Sequence, residues 1–223
     1  MKHLAYIILF LLFSCTSRHD KSSRLSKTID TANSESNEVS NDWLNNYPDL
    51  LVGLMSSFYK LDLSEYSCEF ISPIVADMED DYKIEKLVQI DSLLANKIFE
   101  AKLPEIPYLL DSYLFSIEKP IQGFYPITII NPYGVVERPM ILILFNSNGE
   151  YVNFIEVADL YGETGGCLSS KFINDSTMIR NYEWYEYVID SLGNENDEIE
   201  YATQEVVISN NGKIELKELK RCK

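Results

Sequence analysis

The stretch "MILILFNSNGEYVNFIEV" (residues 140–157) sets the reading of the fold. Ile141 to Phe145 are apolar at every position, the pattern of a strand covered on both faces and therefore central in its sheet. In "NSNGE" (146–150) the Asn-Gly pair supplies the positive φ angles of a tight hairpin. "YVNFIEV" then resumes an extended, β-rich composition. Working outward, the same character recurs in "YPITII" (125–130) on one side. On the other it recurs in "LSSKFI" (168–173), "TMIRNYEWYEYVID" (177–190), "IEYATQEVVIS" (199–209) and "KIELKEL" (213–219). Turn signals separate them, "NDS" at 174–176 and "NNGK" at 210–213 among these. Ile214 and Leu216 alternate with Lys213, Glu215 and Lys217, as in a strand with one wet face. No helical pattern separates these strands, so consecutive hairpins predict an antiparallel meander.

The preceding segment, 42–119, carries a different period. Pro48 stands at a helix start, where its missing N–H costs nothing, and Leu50, Leu51, Leu54, Met55 and Phe58 follow at helical spacing. From Asp81 to Lys102, the residues Ile84, Leu87, Val88, Leu94, Ala95, Ile98 and Ala101 line one face at the 3.6 period, and Pro104 ends the run. Asp91 interrupts that stripe. A carboxylate on an apolar face is a proton donor with a raised pKa or a stripe-edge residue in water. The expected fold is therefore α+β, with N-terminal helices packed on a C-terminal antiparallel β-meander, as a curved sheet or half-open barrel. Residues 42–223 form one globular domain in this reading, mainly helical over 42–119 and mainly β over 120–223.

The chain begins "MKHLAYIILFLLFSC". Its apolar run from Leu4 to Phe13 is half the length of the roughly 20 residues that cross a bilayer. The basic Lys2, the short apolar region and the small Ser14 are the parts of an export signal. Leu12, Phe13, Ser14 and Cys15 resemble the lipobox of a type II signal peptide, as in bacterial lipoproteins. That resemblance implies removal of residues 1–14 and lipidation of Cys15, with a diacylglycerol on sulfur and an acyl chain on the new amino terminus; two or more chains anchor stably. Thr16 after the cysteine implies sorting to the outer membrane, on its periplasmic or its outer side. The low-Ala, Asn-, Ile- and Tyr-rich composition also resembles that of Bacteroidota envelope lipoproteins. Residues 15–41 read as the attachment cysteine and a tether. The stretch 16–41 has no aromatic residue, Gly or Pro, and as a random coil it would reach about 30 Å.

From Asp42 onward the chain carries 31 acidic and 14 basic residues, a net charge of −17. That field disfavours nucleic acid as a partner. Both histidines, His3 and His19, precede Asp42, which removes Ser-His-Asp and Cys-His catalysis, His-ligated zinc and the usual general base near neutral pH. The reading leans away from an enzyme, and no cofactor or metal is expected. With Cys15 lipidated, Cys68, Cys167 and Cys222 remain. Cys167 with Cys222 is the preferred bridge, leaving Cys68 buried or available to a partner. "YGETGGC" (161–167) has the glycines of a phosphate loop without its GK[ST] ending, and reads as a loop. "DSLGNENDEIE" (190–200) gathers Asp190, Glu195, Asp197, Glu198 and Glu200, and reads as a solvated hairpin tip or a calcium site without EF-hand spacing.

"NYEWYEY" (181–187) is the candidate binding surface. Side chains alternate along a strand, so Tyr182 and Trp184 point one way while Tyr185 and Tyr187 point the other. Such a strand is either covered twice or presents an aromatic patch, and Tyr and Trp dominate interface hot spots. Glu183 and Glu186 beside it suit a sugar or a basic protein. Two functions follow as expectations. The first is a lipid-anchored, non-catalytic binding protein of the cell envelope, held to the membrane by its lipid and meeting another envelope protein or a glycan. The alternative is a carboxylate-dependent hydrolase of envelope glycans, with Glu183, Glu186 and Asp190 as suppliers of the acid and its partner.

Overall fold

A computed structural model describes residues 42–58, 60–63, 65–69, 71, 87–99, 105–132, 137–161, 165–189 and 195–222. Residues 1–41, with the export signal, Cys15 and the tether, lie outside this set.

The described residues build one sheet of eleven strands. These are β1 (Lys60–Leu61), β2 (Glu65–Tyr66), β3 (Val88–Gln89), β4 (Tyr113–Ile117), β5 (Tyr125–Ile130), β6 (Pro139–Phe145), β7 (Tyr151–Leu160), β8 (Cys167–Phe172), β9 (Thr177–Ile189), β10 (Glu195–Ile208) and β11 (Ile214–Cys222). From β4 to β11 each strand pairs antiparallel with the next. β1 extends the sheet beyond β4 in parallel, while β2 pairs with β8 and β3 with β4. The order β1-β4-β5-β6-β7-β8-β9-β10-β11 does not close on itself.

The sheet is antiparallel as the alternation indicates, but the helical half of the expectation is wrong. Among the described residues of 42–119 helix is confined to short pieces, α1 (Asp49–Val52), α2 (Ser92–Phe99) and the residues Cys68, Glu69 and Ile71, with three short 3-10 turns and four strands. Two local causes are visible. After one turn α1 meets Gly53, and Leu54 leaves the helical region with ψ near 0°; a nucleus this short gains little without tertiary support. In the second run Asp91 is a helix cap: its Oδ1 accepts the Leu94 N–H at 2.7 Å, satisfying an orphan donor of the first turn. Residues on either side of that cap belong to different elements. Val88, counted in the apolar stripe, pairs with Leu114 in the sheet. Asp91 is thus an exposed cap and not a carboxylate on an apolar face.

β6 is buried along its whole length and serves two cores. Ile141, Ile143 and Phe145 join Leu51, Ala95, Ile98, Phe99 and Leu109 on one face. Met140, Leu142 and Leu144 join Phe115, Val157, Met178, Val206 and Ile208 on the other. Residues of β9 and β10 therefore pack into the same core as β6, although three and four strands away in the sheet order, because β8 pairs with only the last two residues of β7. The continuous apolar run is the consequence of this double burial.

Turn chemistry accounts for the hairpins. Gly149 and Gly212 lie at φ +80° and +78°, while their preceding asparagines do not have positive φ. The loops are therefore of the longer kind, in which a single left-handed glycine follows an ordinary turn. In the β8–β9 turn Asn174 Oδ1 accepts the N–H groups of Ser176 and Thr177 at 3.0 and 2.9 Å, an Asx turn.

The disulfide is also not the expected one. Cys167 is bonded to Cys68 across a separation of 99 residues, so it does not pair with Cys222. The β2–β8 ladder explains the choice: Tyr66 opposite Ser170 brings the following chain to the start of β8. Cys222 ends β11 opposite Tyr201, three strands from Cys167.

Candidate functional site

β9 and β10 are the longest strands, 13 and 14 residues, and the aromatic segment lies in their hairpin. Alternation puts Arg180, Tyr182 and Trp184 on one face of β9. Tyr182 and Trp184 stack with centroids 5.0 Å apart and planes 13° from parallel. The Arg180 guanidinium lies over the Tyr182 ring at 5.0 Å, a cation–π contact. Arg180 is buried, and the two rings are half-buried. Tyr185 and Glu183 occupy the opposite face, where the Tyr185 hydroxyl donates to Glu183 Oε1 at 2.6 Å and is pushed up to about 12 by that bond and then by burial. Glu186 and Tyr187 lie in β9 opposite Glu198 and Asp197; their side chains, like residues 190–194 with Asp190, are outside the described set. Glu195 to Glu200 belong to strand β10 rather than to a hairpin tip.

Register brings polar groups to the ladder from three other strands. Ser170 on β8 and Gln204 on β10 are the direct neighbours of Arg180. Asp159 on β7 lies opposite Leu168, which lies opposite Tyr182. Glu156 on β7 approaches Arg180 Nη2 at 3.8 Å. Glu200 lies opposite Trp184 and pairs with Arg221 at 3.0 Å. Among the described residues, four buried atoms of this group have no hydrogen-bond partner: Asp159 Oδ2, Ser170 Oγ, Arg180 Nε and Gln204 Oε1.

The electrostatics follow from burial. Glu156 is pushed up to about 7, first by burial and then by Asp159, with Arg180 opposing. Asp159 rises to about 6 for the same first reason, although its carboxylate accepts the Arg138 N–H at 2.7 Å. Burial likewise raises the Tyr161 and Tyr182 hydroxyls, Glu156 adding to both. Two carboxyls on one strand thus titrate well above the usual carboxylate range, Asp159 at about 6 and Glu156 at about 7, beside a buried guanidinium and a ring stack.

Of "YGETGGC", Tyr161, Gly165 and Gly166 lie beside this site. Tyr161 N–H donates to Gly166 and Gly165 N–H to Tyr161. A Cβ on Gly166 would stand 2.6 Å from the Glu183 carbonyl and 3.0 Å from the Tyr161 ring. Its glycine is required by close approach to β9, not by a phosphate.

A second polar cluster is fully interior. Glu118, following β4, accepts from the Leu63 N–H and the Ser116 hydroxyl, and Ser116 meets Thr128. The Tyr47 hydroxyl donates to the Glu118 and Pro126 carbonyls. Burial raises Glu118 to about 8, against the pull of those donors. This cluster ties the β1–β2 connection to the sheet.

Sequence alternation reached Tyr182 and Trp184 but missed Glu156, Asp159, Ser170, Arg180 and Gln204. Arg180 was accessible as the residue two before Tyr182 on the same alternation; the others are assembled by register. Among the described residues no helix is long and apolar enough to cross a membrane. No family model, curated protein or solved structure matches this chain.

Proposed function

We propose that the chain is a lipid-anchored, non-catalytic binding protein of the cell envelope, held at the outer membrane through Cys15, which takes its partner on the Arg180–Tyr182–Trp184 ladder. The observation that carries the reading is the ladder itself: two stacked rings left half-buried on a strand whose inner end is core. Aromatic groups of this kind supply contact area with few rotamers to freeze, and they concentrate binding energy. The acidic domain suits a neutral or basic partner.

The test has two arms. Cys15→Ala is expected to release the protein from membranes and abolish fatty-acid labelling; a variant that stays labelled and membrane-bound removes the anchor. Crosslinking in intact cells through a photoreactive residue at position 184 is expected to capture a discrete envelope component. Capture indistinguishable from that at an exposed control position such as Asp175 removes the ladder as the binding surface.

One observation favours the second reading, a carboxylate-dependent glycan hydrolase. Glu156 and Asp159 are two carboxyls of one strand, both raised by burial and set beside Arg180, the residue type that glycoside hydrolysis uses in pairs. They replace Glu183, which is bonded to Tyr185 on the other face. Sugar turnover that disappears in Glu156→Gln would establish this reading over the first.

A further inference from the structure

β9 and β10 run past their neighbours. The ladder of β8 with β9 reaches Glu183, and that of β11 with β10 reaches Tyr201. Gly165 and Gly166 come alongside Glu183 to Tyr185 without joining the ladder. From Trp184 to Ile189 and from Glu195 to Glu200 the two strands therefore pair only with each other among the described residues. A two-stranded ribbon is marginal by itself in water. This one also sets Glu186 opposite Glu198, and like charges directly opposed weaken a ladder. A partner of the opposite charge relieves both costs.

The sign of that partner follows from composition. Residues 181–212 carry eight carboxylates and no lysine or arginine. Such a field repels an anion and does nothing for a neutral ligand, whereas it draws in a cation. The rings define the kind of cation. Arg180 lies over Tyr182, and Tyr182 stacks on Trp184, so the stack ends in a guanidinium on its inner side and in an indole on its outer side. Beyond the indole the same face of the ribbon continues through positions 186, 198 and 200. Glu200, opposite Trp184, is held by Arg221 at 3.0 Å. Glu198 is exposed and enters no ion pair among the described residues. Indole is the best of the aromatic rings for a cation, and a planar guanidinium stacks flat on it while bonding a carboxylate at its edge.

We infer that the ribbon beyond Glu183 docks a basic polypeptide segment, an arginine of which stacks on the outer face of Trp184 and pairs with Glu198. The inference rests on the reading of the ladder as the binding surface and names its partner class. The test is fluorescence anisotropy with the full chain in detergent, at about 0.15 M salt, where long-range attraction is largely screened. The probe is a labelled decapeptide of alternating arginine and serine. It is expected to bind saturably, one peptide to one chain, with affinity reduced about tenfold in Trp184→Leu and in Glu198→Gln, the order of one stacked cation or one charge-assisted bond. Asp175→Asn removes the same charge from another exposed position and is expected to leave the affinity unchanged. Thermal midpoints equal to the parent's show that the variants fold, and Glu198→Gln, at an exposed position, keeps the test sharp where Trp184→Leu does not. No binding, or binding that Asp175→Asn weakens as much as Glu198→Gln, overturns the inference, since the net charge alone would then account for it. A glycan captured through position 184 would overturn it while leaving the ladder as the binding surface. Capture at 184 no different from that at Asp175 would remove both.

Discussion

Glu118 shows how burial sets the behaviour of one residue. Its carboxyl has an ordinary pKa of 4.5 in the unfolded chain and about 8 in the fold, with burial the leading cause. The folded state therefore holds a proton that the unfolded state has lost. Its contribution to stability is complete below 4.5 and is lost as pH rises through 8. Glu118→Gln carries a permanent neutral group that can still accept from the Leu63 N–H, and its thermal midpoint is expected to exceed that of the parent increasingly as pH approaches 8 in thermal melts across this range. A parallel fall of both midpoints would show that Glu118 does not control the dependence. Gly166 is the steric counterpart. A methyl group there meets the Glu183 carbonyl at 2.6 Å, so Gly166→Ala is expected to cost about 1–3 kcal/mol in urea unfolding, and no change would contradict the close approach.

At the scale of elements, the short pieces of 42–119 depend on what they are fastened to. α2 has eight residues and one cap; Asp91→Ala is expected to destabilise by about 1 kcal/mol, measured by chemical denaturation. β2 contributes only two ladder residues to β8, with the Cys68–Cys167 bond beyond them. A bond closing so long a loop restricts the unfolded chain strongly, and Cys68→Ser is expected to lower stability by about 2–4 kcal/mol. Cys222→Ser is expected to change it far less, since that thiol takes no part in the bond. Equal effects of the two substitutions would point to a different pairing. Reading this region as helix failed for a physical reason: apolar spacing was counted across Gly53 and across Asp91, where the backbone changes element. β4 was missed because "YLFSI" sits within that misread segment, and its polar Ser116 is buried through bonds to Glu118, two residues on, and to Thr128 on the neighbouring strand.

For the whole molecule, Asp159, Glu156 and Glu118 are raised to about 6, 7 and 8. Each favours the folded state more at low pH, and the net charge of −16 at pH 7 adds self-repulsion as further carboxylates ionise. The thermal midpoint is expected to decline progressively as pH rises through 6, 7 and 8. A midpoint that climbs over that interval would refute the assignment of these carboxyls as buried and proton-retaining.

The seven C-terminal strands and the left-handed glycines at 149 and 212 were determined by the sequence itself, because two-residue alternation and Asn-Gly turn signals are local properties of the chain, although the turns are longer than the tight hairpins expected. So was the central place of β6, since only a strand buried twice can be apolar at Ile141 through Phe145. Local pattern also put Tyr182 and Trp184 on one face. Tertiary structure alone decided that Cys167 bonds to Cys68, that Asp91 caps a helix, and that Ser170, Arg180 and Gln204 share a row beside Asp159 and Glu156. Those outcomes depend on the register between strands and on which groups are taken from water. Neither can be read from spacing along a single strand.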